Sequence, residues 1–336
     1  MKGIFILDPD SFARIYPREI EREIGQLLDL VAPSQTAESI RAQPFLMQDV
    51  DIVLSGWGAP RLDEAFLDAA PRLKAFLYGA GSIRNTVTAA FWRRNIPIAS
   101  AVSANAIPVA EYTLSQILFC LKAGWQHNRR CKTPGSDRVY GFDACKSIEP
   151  AGAFGSTVGL VSLGQVARRV IELLAPFEIR ILAFDPFASA DDARRLGIEL
   201  CSLEDVFERS DVVSVHTPDL PETRGMISGD LVSRMRVNAS LINTSRSAIV
   251  RHSELIQVLE LRSDLWAILD VTEIVSDQEY RSLQTLSNVT LTPHIAGSMA
   301  GECARMGQYM LDDLKRFLKG EPLKYQITEQ QAAIMA

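Results

Sequence analysis

The sequence predicts an α/β protein built from two doubly wound parallel sheets, and three observations support this. Short apolar runs alternate with longer amphipathic stretches along most of the chain, the rhythm of βαβ units. In the second half the short runs are almost continuously apolar, as expected of strands buried on both faces. The length of 336 residues suits two domains at roughly 100–200 residues each.

In the first half, strands are expected at Ile4–Leu7, Asp51–Ser55, Leu73–Tyr78 and Ile96–Ala99. Between them, Phe12–Leu30 reads mostly as helix, Asp63–Ala70 as a short helix stopped by Pro71, and Ala89–Arg94 as another. A long helix from about Ile107 to Arg130 follows, with Val109, Tyr112, Leu114, Ile117, Leu118 and Leu121 at helical spacing. Residues 131–153 lose periodicity and carry Pro134-Gly135, Gly141 and Pro150-Ala151-Gly152, so they read as an irregular arm. The rhythm restarts at Thr157. Strands are expected at Val158–Leu163, Ile179–Phe184, Val212–Thr217, Ser240–Asn243, Ala267–Asp270 and Val289–Leu291, with helices beginning near Val166, Asp191, Leu203, Gly229 and Arg251. A last amphipathic helix, about Ala300–Leu318, ends at Gly320 with Pro322 just beyond.

Composition narrows the function. Hydrophobic residues make up 47% and charged residues 23%, ordinary for a globular protein. A net charge of −6 opposes nucleic acid and anionic membrane as partners, since both need a positive field. No apolar run reaches the about 18 residues of a transmembrane helix, and the N-terminus lacks the apolar region of a signal peptide. The cytoplasm is the expected location. The five cysteines form no Cys-x-x-Cys pair, so reduced thiols are expected rather than disulfides or a zinc site. No His/Asp/Glu cluster has metal-ligand spacing.

The segment Val158-Gly159-Leu160-Val161-Ser162-Leu163-Gly164-Gln165-Val166-Ala167 joins a strand to a helix. Against the G-x-G-x-x-G/A dinucleotide fingerprint, the three positions hold Ser162, Gly164 and Ala167. The first glycine is replaced. The second, which lets backbone approach a pyrophosphate, is kept. The N–H groups of Gln165 and Val166 would face the phosphates at the helix start. Asp185 follows an apolar strand 21 residues after Gly164, where a carboxylate would accept the ribose hydroxyls. Such an acid repels a 2′-phosphate, so NAD is expected over NADP, on a Rossmann domain.

Further segments carry a resemblance. They are Asp211-Val212-Val213-Ser214-Val215-His216-Thr217-Pro218, Leu241-Ile242-Asn243-Thr244-Ser245-Arg246-Ser247, Leu269-Asp270-Val271 and Leu291-Thr292-Pro293-His294-Ile295-Ala296-Gly297. Upstream stand Gly79-Ala80-Gly81 and Asn105-Ala106-x-x-Val109-Ala110-Glu111. Together they resemble the D-2-hydroxyacid dehydrogenase family, which includes phosphoglycerate dehydrogenase and glyoxylate or hydroxypyruvate reductases. The resemblance implies a discontinuous, flavodoxin-like substrate domain of residues 1–104 and 297–336, and a Rossmann NAD-binding domain of residues 105–296. Substrate, a small 2-oxoacid or 2-hydroxyacid, would bind in the cleft. It also implies a homodimer made largely by the cofactor domain, with residues 131–153 as a contact arm.

The same resemblance implies residue roles. Arg246 would grip the substrate carboxylate and the reacting oxygen, and its planar fork suits that task. His294 would be the general acid in reduction and the base in oxidation. Asp270 would lie near the nicotinamide carboxamide and ribose. Val109, Thr113, His216, Thr217, Pro218, Thr244, Ser245, Ala296 and Gly297 would line the cofactor. Ala80 and Gly81 would meet the substrate carboxylate through backbone N–H groups.

One departure matters. The family's histidine is paired with a glutamate five residues after the aspartate of the Leu-Asp-Val motif, and here that position is Val275. His294 is therefore expected to lack its carboxylate unless the local backbone brings Glu273 to it. The leading reading is an NAD-dependent enzyme passing hydride between nicotinamide and C2 of a 2-hydroxyacid or 2-oxoacid. The alternative, motivated by Val275 and Ser162, is a catalytically weak NAD- or metabolite-binding protein kept for sensing or assembly.

Overall fold

The strands of this computed structural model, which describes residues 1–146 and 148–335, pair in parallel into two sheets. The chain divides into two units: Met1–Ala106 with Ser298–Met335, and Ile107–Gly297. The divisions fall one or two residues beyond the expected boundaries.

The first unit holds β1 (Lys2–Ile6), β2 (Asp29–Leu30), β3 (Ile52–Ser55), β4 (Ala75–Tyr78) and β5 (Ile98–Ser100), in the order β2-β1-β3-β4-β5. This is the flavodoxin-like winding. Strand alternation sorts its core into two faces. Ile4 and Ile6 pack with Phe76 and Phe91 on one side. Phe5 and Leu7 pack with Tyr16, Met306 and Met310 on the other. The last two belong to the helix Cys303–Leu318, whose Gly307 lies so close to the carbonyl of Ile15 that an added Cβ would sit 1.8 Å from its oxygen. The sequence spends a glycine there to let two helices meet.

The second unit holds β6 (Thr157–Val161), β7 (Arg180–Phe184), β8 (Glu199–Leu200), β9 (Val212–Val215), β10 (Ser240–Asn243), β11 (Trp266–Leu269) and β12 (Val289–Leu291), in the order β12-β11-β10-β9-β6-β7-β8. Read from β8, the order within the unit is third, second, first, then fourth onward, which is the Rossmann winding. Leu160, Ile242 and Ile268 face one helical layer, and Val161, Val213, Leu241 and Leu269 the other. Burial on both faces explains why these strands read as continuous apolar runs.

Several expectations are corrected. The stretch 12–30 is two helices, Pro9–Ile15 and Arg18–Leu27, separated at Pro17, which cannot continue a helix interior; Asp29 and Leu30 are strand. The helix expected over 107–130 starts at Val102, ends at Leu121, and restarts as Gly124–Lys132. Between them Ala123 takes φ +48, a left-handed residue that ends the first helix. The arm is therefore partly helical: helix runs to Lys132, and Phe142–Cys145 adds one turn, while residue 147 of the arm lies outside the described residues. The structure adds the helices Ala37–Ala42, Asp277–Thr285 and Glu329–Ala333, each opened by a capping box.

Candidate active site

The predicted cofactor-side residues stand on the carboxyl ends of the second unit's strands, where open α/β sheets bind ligands. Gly164 follows β6, Asp185 ends the run of β7, His216–Pro218 follow β9, and Thr244–Arg246 follow β10. Asp270 follows β11, and His294–Gly297 follow β12.

Gly164 is the N-cap of the helix Gln165–Leu174, and a Cβ placed on it would meet nothing within 4 Å. The space in front of that helix start is open, as a pyrophosphate requires. Ala167 is fully buried, so the third fingerprint position serves helix–strand packing. Ser162 adopts φ +74. The turn thus demands the left-handed conformation for which the fingerprint uses glycine. Ser162 holds it with a 3.0 Å hydroxyl contact to Thr217 and an N–H donated to the Phe184 carbonyl at 2.7 Å. The Asp185 carboxylate accepts the N–H groups of Leu163 at 2.7 Å and Phe187 at 2.8 Å, tying the end of β7 to the glycine loop.

Deeper in the sheet edge, Thr113 and Thr244 touch through their hydroxyls at 3.2 Å, and Val109 is buried nearby in sequence on the same helix as Thr113. His216 is buried with its Nε2 lacking a hydrogen-bond partner. Burial pushes its pKa down to about 4, so it is neutral. An orphaned buried nitrogen and an open glycine corner both fit a dinucleotide along this edge. Asn243, whose role was not read from sequence, organises the next turn. Its Oδ1 accepts the Ser245 N–H at 3.0 Å and hydroxyl at 2.8 Å, while its Nδ2 donates to the Arg246 carbonyl at 3.1 Å. Arg246 is half-buried and donates from Nη1 to the Ser245 carbonyl at 2.7 Å.

The most informative geometry lies between β11 and β12. Asp270 is 1% exposed. Its carboxylate accepts the Thr292 hydroxyl at 2.5 Å and the N–H groups of Ile295 and Ala296, both at 2.9 Å. The His294 N–H in turn donates to the Asp270 carbonyl at 2.8 Å. Asp270 thus clamps the turn that carries His294, and this clamp holds His294 at φ +57, a conformation costing a side-chain-bearing residue about 1–2 kcal/mol. Tyr112 adds a 3.1 Å contact to the Thr292 hydroxyl.

The expectation of a histidine without a carboxylate is overturned. Nδ1 of His294 lies 2.6 Å from Oε1 of Glu273, with both side chains about half exposed. A turn explains it. The Val275 N–H donates to the Thr272 carbonyl at 3.1 Å, and Val275 packs against the hydrophobic core. The residue at the expected position is turned inward, and the one two places earlier reaches the imidazole. The hydrogen bond to Glu273 raises the His294 pKa against partial desolvation. Reciprocally, the bond from His294 holds the Glu273 carboxyl below its usual range, and the Arg246 charge lowers both groups.

Ala80 and Gly81 belong to the first unit, at the end of β4. The Ser100 hydroxyl donates to their carbonyls at 3.1 and 2.5 Å, fixing the loop. All five cysteines are free. Among the described residues no group of three or more His, Cys, Asp or Glu side chains could hold a metal ion, and no helix is long and apolar enough to cross a membrane.

A Rossmann sheet with an open glycine corner, an acid at the end of its second strand and an Arg–Glu–His group is the frame of a nicotinamide-type dehydrogenase. Residues 126–296 match the family described as D-isomer specific 2-hydroxyacid dehydrogenase, NAD binding domain. The Bacillus subtilis YoaD protein, named provisionally as a 2-hydroxyacid dehydrogenase, is 32% identical over 290 residues, covering 84% of this chain and 83% of its own. The chain belongs to the D-isomer-specific 2-hydroxyacid dehydrogenase family, and its second unit is that family's NAD-binding domain. D-3-phosphoglycerate dehydrogenase of Mycobacterium tuberculosis is 30% identical over 267 residues, 78% of this chain and 48% of that one. The chain spans about half the length of such phosphoglycerate dehydrogenases. A phosphoglycerate oxidoreductase structure from Rhizobium etli shares the fold, with TM-score 0.80 at 22% identity, over 98% of each chain.

Proposed function

We propose that the protein is an NAD-dependent 2-hydroxyacid dehydrogenase, acting as a 2-oxoacid reductase in the reverse direction. The observation that carries the reading is the His294–Glu273 hydrogen bond at 2.6 Å, beside the charge of Arg246. The dinucleotide supplies or takes the hydride when bound. Gly164, Gln165, Val166 and Asp185 would hold its phosphates and ribose. Thr113, His216, Thr217, Thr244 and Asp270 would border the remainder, with Asp270 serving chiefly through the turn it clamps.

Arg246 would bind the substrate carboxylate and polarise the C2 oxygen. His294, kept protonated by Glu273, would give its proton to that oxygen in reduction and take it back in oxidation. With Glu273 on His294, Val275 no longer argues for a silent binding protein. An NADH-oxidation screen over glyoxylate, hydroxypyruvate, pyruvate and bulkier 2-oxoacids tests the reading. Turnover that disappears in His294→Ala supports it, and NADH binding without turnover of any 2-oxoacid would return the sensing alternative.

A homodimer belongs to the same proposal. Tyr140 and Phe142, 69% and 92% exposed on the arm, are large apolar side chains of the sort a second copy covers. We place the protein in the cytoplasm, where five free thiols stay reduced.

A further inference from the structure

The glycine turn of the second unit carries a strain that a glycine would avoid. Ser162 stands at φ +74, a conformation glycine takes freely and serine does not. The next residue, Leu163, is held at three points. Its side chain is 4% exposed and shares a core cluster with Leu160, Ala167 and Val170. Its N–H donates to Oδ2 of Asp185 at 2.7 Å. Its carbonyl accepts Nε of Arg168 at 2.9 Å.

Arg168 reaches that carbonyl from the first turn of the helix Gln165–Leu174, since long side chains on a helix lean back toward its N-terminus. The far side of its guanidinium faces Asp192, with Nη2 3.9 Å from Oδ1. Asp192 is itself fixed, by the Ser189 hydroxyl at 2.7 Å, the Ser189 N–H at 3.1 Å and Nη2 of Arg195 at 2.5 Å. The Ser189 bonds, with help from Arg195, pull its carboxyl down to about 2, so it is charged at any working pH. A line of contacts thus runs from Asp192 through Arg168 and Leu163 to Asp185, all of it within the second unit. Asp185 has a second tie, the Phe187 N–H on Oδ1 at 2.8 Å, but that one lies inside its own loop. The bond from Leu163 is the one that sets the carboxylate against the glycine turn.

We propose that Arg168 is a positioning residue for cofactor selection: by holding the backbone of Leu163 it fixes Asp185 in the pose that receives the ribose hydroxyls of NAD and turns away a 2′-phosphate. The inference rests on the reading of Asp185 as the ribose acid. The sign of the effect separates positioning from simple charge. A guanidinium attracts phosphate, so on charge alone the loss of Arg168 would widen the preference for NAD. If Arg168 works by holding Asp185, its loss frees the carboxylate and the preference narrows.

The test titrates NADH and NADPH by fluorescence against wild type, Arg168→Met, Arg168→Lys, Asp185→Ser and the double variant Asp185→Ser/Arg168→Met. The Arg168 side chain is 43% exposed, so its replacement leaves the fold intact, and urea midpoints check this. Arg168→Met should weaken NADH about 5–20-fold and NADPH less than about threefold, the loss expected when a fixed hydrogen bond is removed. Arg168→Lys, which keeps a donor for the carbonyl, should retain most of the gap between the two cofactors. Added to Asp185→Ser, Arg168→Met should cost less than about a further twofold, because the residue it acts through is gone. A gap that widens in Arg168→Met, an equal loss for both cofactors, or full additivity in the double variant would each overturn the positioning role. If Asp185→Ser leaves the gap as it is, the ribose reading of Asp185 falls and the inference with it. If Asp185→Ser closes the gap and Arg168→Met does not narrow it, the inference falls alone.

Discussion

Replacing Glu273 by glutamine removes one charge from the His294 pair while keeping a side chain of the same shape. The two groups meet at 2.6 Å and are about half exposed. Opposite charges with centres about 4 Å apart are worth about 1 kcal/mol in water and about 4 kcal/mol near a protein surface of lower dielectric. Half exposure sets this pair between those limits, at about 1–3 kcal/mol of support for the imidazolium, or about 5–150-fold in its population where it is only partly protonated. Because Glu273 raises the His294 pKa, the acid form persists to higher pH in the wild type. Glu273→Gln should therefore pull the falling limb of the reduction profile to lower pH and cost about 10–100-fold in kcat/KM at neutral pH. Oxidation needs the neutral imidazole, so its rising limb should move to lower pH as well. Steady-state rates in both directions across pH decide the matter. An unchanged pair of profiles would refute the role of Glu273, and a loss equal at every pH would show that the carboxylate orients the ring without tuning its charge.

Val275→Glu should leave turnover nearly unchanged, because the histidine is already served, and should lower the urea midpoint by putting a carboxylate against the core. Asp270→Asn should destabilise the second unit by about 2–4 kcal/mol in denaturant unfolding, since an amide cannot replace a carboxylate that accepts three donors. Ser162→Gly should change stability by less than about 1 kcal/mol, relief of φ +74 being offset by a freer unfolded chain; Ser162→Val should cost about 2–3 kcal/mol at the same position. NADH should bind at least tenfold more tightly than NADPH by fluorescence titration, a gap of about 1.4 kcal/mol or more, and Asp185→Ser should narrow it. Light scattering at micromolar concentration should report a dimer, and Phe142→Asp should weaken it.

Much of the fold was legible because buried parallel strands announce themselves as apolar runs: Ser240–Asn243, buried throughout, coincides with the observed strand, and even the half-buried edge strand Val289–Leu291 does. The two-residue strands β2 and β8 carry no periodicity, being placed by their neighbours, and at the helix break the left-handed conformation falls on Ala123 while the neighbouring Gly124 opens the next helix. At the site, Gly164 and Asp185 could be read because spacing along a βαβ unit fixes where their atoms must be. Glu273 could not. Its reach depends on the turn Thr272–Val275, and one hydrogen bond in that turn decides which side chain meets the histidine. Nor could Ser162 reveal that it carries the backbone conformation of the glycine it replaces.

That turn makes the number of residues between Asp270 and Ser276 more restrictive than their identity. The hydrogen-bonded turn breaks the simple alternation of side chains, so two positions two residues apart face opposite ways and the loop works as a two-position selector: Val275 against the core, Glu273 toward the imidazole. Losing or gaining one residue there would rotate the assignment, offering the histidine a hydrocarbon and burying a charge. Substitutions at the exposed Ile274 leave the selector untouched. The segment thus tolerates a change at an exposed position more readily than a change of length, and an acid two places from the expected one still reaches the imidazole.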